Sequence, residues 1–342
     1  MTDDLVATGL PPADAPAQRG YAFQARDRRA WRTLAIVCSI TVVAPLLTGG
    51  FGIYLGCVVA CYAIATLGLQ LMVGVAGQLS LGHAAFMAIG SYVTVLAQMR
   101  LGWGFFPAAV LGVVTSALAG LLMAQLIRLS GVYFKIATFG FGVIVWQVIS
   151  NWSSLTGGST GLTKIPPIGF AGWTVSSRPQ LFLVIVAFLV IAYALTLRMV
   201  QGRAGRALLA IGQNEPAAEA MGVNVPAYKM GAIVFGCALG GLGGAFVPQL
   251  NGFLNPDTFT WAESLLLLIM ITVGGMGSLA GAIAGTAVLI VVPEYLRDLA
   301  EYKMLIFGIL LVLALMFMPR GLAGLGASCA ALVRRLRAGS SR

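Results

Sequence analysis

Few side chains in this 342-residue chain could do chemistry. His83 is its one histidine, and it follows Gln78 and Ser80 in Gly77-Gln-Leu-Ser-Leu-Gly-His-Ala, a glycine-punctuated stretch between two apolar runs. A proton relay or metal site would need an acid or a second ligand within reach on the same helix, and none stands there. Packing or hydrogen bonding near a helix start is the plainer role, although polar groups beside a break in a membrane helix often line a transport route. Glu263 opens another apolar run, in Thr260-Trp-Ala-Glu. An acid in a membrane span is a functional candidate by default. The same four residues also fit a capping box, with Thr260 as N-cap and Glu263 three residues on. Both readings stand at this level.

Other chemistries find no support. Thr156-Gly-Gly-Ser-Thr-Gly-Leu-Thr-Lys164 resembles a phosphate loop only superficially, because a Walker A ends in Gly-Lys-Ser/Thr and the chain has no Gly-Lys pair. If ATP drives this protein, another subunit binds it. The five cysteines, Cys38, Cys57, Cys61, Cys237 and Cys329, contain no CxxC, and four lie inside apolar runs. They read as small buried packing residues, with neither a disulfide framework nor a metal site. Glu294, Asp298 and Glu301 lie near Arg297 and Lys303 and read as solvated surface charges. A membrane-embedded enzyme would need His, Asp, Glu, Ser or Cys clustered at one depth. One histidine and scattered acids do not make such a cluster, so no catalytic residue and no cofactor is expected.

The elements that must position these residues are membrane helices. The chain is 59% hydrophobic and 9% charged, against roughly 25% charged in soluble domains. The apolar runs are continuous, unlike the alternation of barrel strands, so the fold expected is an all-α polytopic membrane protein. A net charge of +10 might suggest nucleic acid, but the basic residues sit at the ends of apolar runs. Residues 1–29 form a polar tail that reads as disordered. The tail lacks the apolar core of a signal peptide, so the first apolar run reads as an uncleaved anchor. Ten runs approach the ~20 residues needed to cross a bilayer. They lie near 30–49, 51–73, 80–98, 106–128, 132–150, 180–200, 226–248, 261–275, 278–293 and 302–318, within a membrane domain of 30–320 followed by a basic tail, 321–342. The joints Gly74–Ser80 and Gly274–Ser278 are glycine-rich, and read as tight turns or as breaks at membrane depth.

With both termini cytoplasmic, alternation through ten spans puts 16 Lys and Arg inside and 5 outside, as the positive-inside rule requires. Residues 203–222 then face the cytoplasm and the loop 151–180 faces outward. Gly236, Gly240 and Gly244 recur every four residues, as do Gly277, Gly281 and Gly285. This spacing stacks glycines on one helix face and predicts close helix packing, with a pore-lining role as the alternative. Gly77-Gln-Leu-Ser-Leu-Gly-His-Ala and Gly275-Met-Gly-Ser-Leu-Ala-Gly-Ala are faintly alike, as the halves of an internal repeat would be.

The segment Arg203–Gly222 is the polar insert that itself reads as helical. Gly212 and Gly222 are helix stops. Asn214-Glu215-Pro216 supplies a cap and an early proline for a second helix, so two short helices with a turn at Gly212–Glu215 are expected. Such an insert either rests on lipid headgroups or docks a soluble partner.

Gly205-Arg-Ala-Leu-Leu-Ala-Ile-Gly-Gln-Asn-Glu-Pro-Ala-Ala-Glu-Ala-Met-Gly222 is similar to the cytoplasmic signature of ABC importer permeases, above all the branched-chain amino acid permeases of the LivM/LivH type. Four further stretches agree, in order. They are Gly68-Leu-Gln-Leu-Met-Val-Gly with Gly77-Gln-Leu-Ser-Leu-Gly-His-Ala-Ala-Phe, Thr156-Gly-Gly-Ser-Thr-Gly-Leu-Thr, Gly274-Gly-Met-Gly-Ser-Leu-Ala-Gly and Met318-Pro-Arg-Gly-Leu. Length and the extended N-terminal tail resemble the LivM-type member.

The resemblance implies a type II-like permease in the bacterial inner membrane, paired with a second permease subunit. It also implies two cytoplasmic ATPase subunits beneath and a periplasmic substrate-binding protein outside. Arg203–Gly222 would be the coupling helix, with Arg203, Arg206, Asn214, Glu215, Ala217, Ala218 and Gly222 at the ATPase. Relatives commonly carry a basic residue near Gly212, where this chain has Gly212-Gln213, which shifts weight to Arg203 and Arg206. Gln78, Ser80, His83 and Glu263 are the candidate pathway residues. The substrate implied is a branched-chain or related hydrophobic amino acid. A permease for urea or short amides and an ion-driven secondary transporter are the alternatives.

Overall fold

The computed structural model describes residues 49–128, 132–170, 173–175, 177–295 and 321–322. The first and tenth expected spans and both expected tails lie almost wholly outside these residues.

Among the described residues, six helices are long and apolar enough to cross a membrane. Helix α1 is Gly49–Gln70 and runs on through a π-helical turn, Leu71–Val75; α2 is His83–Leu101 and α3 is Phe105–Ala124. Helix α4 is Val132–Asn151 and α5 is Arg178–Gln201. Two short helices follow, α6 (Arg203–Gln213) and α7 (Glu215–Ala220), before the longest, α8 (Val225–Asn251). The six long helices coincide with the second to seventh expected spans.

The eighth and ninth expected spans are corrected. They are α9 (Trp261–Gly274) and α10 (Leu279–Tyr295), a pair bent by 119° at the Gly275–Ser278 break. At 1.5 Å per residue each arm is about 21–26 Å long, short of the ~30 Å hydrocarbon core. The pair is therefore one broken span or a re-entrant hairpin, which Gly275 and Gly277 permit with φ of 111° and 88°. Gly277 accordingly belongs to the turn and not to a glycine face of α10.

Helix α8 lies at the centre, against α1, α2 and α3. Its small residues explain why. A methyl group at Gly244 would overlap the Met87 carbonyl of α2, and one at Gly236 would stand 2.6 Å from Met72 Sδ beside α1. Reciprocally, a methyl at Gly90 of α2 would overlap Gly241, and Gly240 lies against the His83 ring. Gly281 and Gly285 bring α10 onto the Gly274 and Met270 backbone of α9 in the same way. Close backbone approach of this kind substitutes for a hydrophobic driving force between helices in lipid. Cys57, Cys61 and Cys237 are free and buried in this packing.

Loops gather at two ends. At one, strand β1 (Leu162–Thr163) of the 151–180 loop pairs antiparallel with β4 (Phe253–Leu254), and β2 (Gly169–Phe170) pairs with β3 (Trp173–Thr174). Arg100 donates to Ser154 O there (2.6 Å), and Arg178 lies over the Tyr54 ring. At the other end the α1–α2 connection meets α6, where Gly77 is 3.6 Å from Gly212 by its would-be Cβ. Helix α4 is the least buried long helix, with about a sixth of its residues covered.

Candidate functional site

Polar groups converge on one turn of α1. Tyr62 lies eight residues beyond Tyr54, about 12 Å along the helix axis, so this turn sits near the middle of α1. Tyr62 donates to Glu263 Oε1 (2.5 Å), and Thr66 meets Thr286 of α10 (3.0 Å between hydroxyl oxygens). His83 Nε2 is 3.1 Å from Ala65 O. A carbonyl only accepts, so Nε2 carries the proton, and in the neutral ring the lone pair falls to Nδ1. That Nδ1 has no partner among the described residues, nor does the buried Ser80 hydroxyl. Ser264, next to Glu263, accepts the Ala84 N–H at the start of α2 (2.9 Å). His83 and Glu263, 180 residues apart, thus share one polar layer.

This arrangement revises the reading of Glu263. Thr260 is the N-cap of α9, but its side chain makes no capping bond. The Glu263 carboxylate turns instead to Tyr62, which lies in another helix. Glu263 begins its helix in sequence yet stands level with the middle of α1.

Between α1 and α2 the backbone at 77–82 is non-helical. Non-helical backbone beside apolar helices is tolerated where it is buried in protein or lines a cavity. Here both hold. Leu81 N donates to Thr138 Oγ1 of α4 (3.1 Å). Gly77, Gln78 and Leu79 line an open cavity of about 850 Å³ that is bounded on other sides by the end of α3, the start of α4, Glu215 of α7 and the start of α8. Behind the break, Gln70 Nε2 donates to Gly275 O (3.2 Å), and a methyl at Gly74 would stand 2.7 Å from Gly277 N. The 275–278 turn therefore packs on Gln70 and Gly74, just ahead of the first look-alike stretch.

Helices α6 and α7 realise the two short helices expected, with Asn214 capping α7 by accepting from Ala217 N (3.1 Å). Leu208, Ile211 and Ala218 are buried, while Arg203, Arg206, Asn214, Ala217 and Gly222 are exposed. Met221 is 84% exposed, an apolar side chain at the tip of a polar segment. Glu215 is also exposed but is tied to α8, because Lys229 Nζ lies 2.6 Å from its Oε2. Gly212 abuts the break, where a methyl would stand 2.8 Å from Val75 O.

Some participants carry no local signal. Tyr62, Thr66, Gln70, Ser264 and Thr286 sit singly in apolar runs, and Lys229 reads as a flanking charge. What distinguishes them is a partner 14 to 220 residues away.

Six apolar candidate spans, a broken helix pair, a buried polar layer and an exposed amphipathic insert are the marks of a polytopic α-helical membrane protein. Comparison with known proteins gives the family. Residues 52–315 match the profile described as branched-chain amino acid transport system / permease component. The chain is 34% identical over 307 residues to the high-affinity branched-chain amino acid transport system permease protein LivM of Salmonella typhimurium. That alignment takes in 83% of this chain and 72% of the relative. It is 32% identical to LivM of Escherichia coli, over 84% of this chain and 74% of the relative. It is 27% identical to LivH of Salmonella typhimurium, over 80% and 93%. No solved structure matches it. The chain belongs to the branched-chain amino acid transport system permease family.

Proposed function

We propose that this chain is the LivM-type permease subunit of an ATP-driven importer of branched-chain or related hydrophobic amino acids, in the bacterial inner membrane. It pairs with a LivH-like second permease. Two cytoplasmic ATPase subunits dock on Arg203–Gly222, and a periplasmic binding protein docks on the 151–180 side. The names of its LivM and LivH relatives favour this substrate over urea or short amides. ATP hydrolysis belongs to the ATPase subunits, and this chain converts their closure into alternating access.

The observation that carries the coupling role is the two-sidedness of α6–α7. One face is anchored through Leu208, Ile211 and the Glu215–Lys229 pair. The other presents Arg203, Arg206 and Met221 to a partner. A segment fixed to the long central helix and open to a soluble protein can transmit motion between them. Gln78, Ser80, His83 and Glu263 border the solute route in this reading.

The test is the assembled complex carrying Arg203→Glu with Met221→Asp. ATPase co-purification and leucine uptake into proteoliposomes should both fall at least about tenfold, the scale of losing buried apolar and charged contacts at an interface. Retention of both at wild-type levels refutes the docking surface.

A further inference from the structure

The cavity beneath the coupling segment has a lining that fits a particular ligand chemistry. Its volume, about 850 Å³, lies within the ~300–1,000 Å³ of small-molecule sites. Two cations, Lys135 and Lys229, one anion, Glu215, and two amides, Gln78 and Gln125, face it. Leu79, Ile127, Phe134, Val225 and Met230 form its apolar wall. Lys229 is paired with Glu215, and the Glu215 side chain keeps 48% of its surface exposed. Lys135 has no ion-pair partner among the described residues. An apolar chamber with an excess cation and an adjoining anion is complementary to a zwitterion with an aliphatic side chain.

We infer that this cavity is a second solute site, which takes a free aliphatic amino acid from the side of the coupling segment and acts on the ATPase through Glu215. The carboxylate of the solute meets Lys135 and Lys229, and its ammonium meets Glu215. Because Glu215 begins α7 and Lys229 belongs to α8, a zwitterion inserted between them loosens the tie that anchors the coupling segment. Accumulated product then lowers ATP turnover. A ligand shifts such an equilibrium only by its differential affinity for the two states. Here that difference lies in whether the Glu215–Lys229 pair is closed. The inference rests on the amino acid importer reading above.

The experiment uses the complete importer in nanodiscs without binding protein, with ATPase rate as readout and leucine as probe. Millimolar leucine should lower the rate several-fold. Leucinamide, which lacks the carboxylate, and isocaproate, which lacks the ammonium, should each act about tenfold more weakly, the scale of one charge-assisted hydrogen bond. Lys135→Gln should raise the half-inhibitory concentration about tenfold while Lys135→Arg keeps it, which separates charge recognition from misfolding. An ATPase indifferent to leucine overturns the inference. So does isocaproate as effective as leucine, which marks an apolar or lipid-filled chamber, or an unchanged response in Lys135→Gln. Leucine uptake by wild-type proteoliposomes with binding protein is measured in parallel. Uptake without inhibition sinks only the second site, whereas absence of amino acid uptake sinks the importer reading itself.

Discussion

Lys229 Nζ lies 2.6 Å from Glu215 Oε2, and the two members differ sharply in exposure, at 5% and 48% of their side-chain surfaces. The pair joins the short helix α7 to the long membrane helix α8 at the base of the coupling segment. Its asymmetry decides what each deletion does. Glu215→Ala leaves a buried, unpaired ammonium and should destabilise the protein by on the order of 3 kcal/mol. Lys229→Met leaves a carboxylate that water already reaches, and should cost less. Thermal unfolding of the purified variants in detergent checks this. An equal or reversed order would show that Lys229 finds another partner.

The Tyr62–Glu263 bond separates structure from transport. Tyr62→Phe removes the donor and should cost about 1–3 kcal/mol of stability. Glu263→Gln keeps an acceptor for Tyr62 and should change stability by about 1 kcal/mol or less. If the mid-membrane carboxylate serves the solute route, Glu263→Gln should still lower leucine uptake at least about tenfold. Uptake and melting temperature on the same preparations test the split, and wild-type uptake by Glu263→Gln removes Glu263 from the route.

Gly212 and Gln213 are neighbours with opposite tolerance. A side chain at Gly212 would press on Val75 O beside the α1–α2 break, whereas Gln213 is exposed. Gln213→Arg should leave expression and uptake near wild type. Gly212→Arg should lower folded yield, with a cost of about 1–3 kcal/mol for overpacking. Size-exclusion profiles and uptake distinguish the two. A basic side chain near this point is accommodated only at the outer position, Gln213.

Helix α8 offers a similar contrast. Gly244→Ala would overlap the Met87 backbone, while the space around Gly140 of α4 holds nothing within 4 Å of an added methyl. Gly244→Ala should therefore destabilise by at least about 1–3 kcal/mol. Gly140→Ala should be neutral or stabilising by about 0.5–1 kcal/mol, as expected for an unstrained helical site. Melting curves in one detergent compare them directly.

Much was legible from the sequence because it depends on local composition. The length of each apolar run determined the six long helices. The polarity of Arg203–Gly222 and its Asn214-Glu215-Pro216 start determined two short helices, although the first runs through Gly212 and ends at Gln213. The four-residue glycine spacing on α8 determined a face flat enough for other helices. The ordered motifs from Gly68 to Leu322 were enough to point to the family.

Only the tertiary structure decided where polar groups meet. Thr260-Trp-Ala-Glu263 satisfies a capping pattern locally, yet the carboxylate prefers a tyrosine hydroxyl 201 residues away. Two apolar runs of near-spanning length became the arms of one bent pair, because Gly275 and Gly277 turn the chain where their lengths fall short of the bilayer. Glu215 stays half exposed yet also pairs a lysine that burial would otherwise leave unpaired. In each case the partner is supplied by packing, since a group held in a low-dielectric interior must be paired wherever its partner happens to lie in sequence.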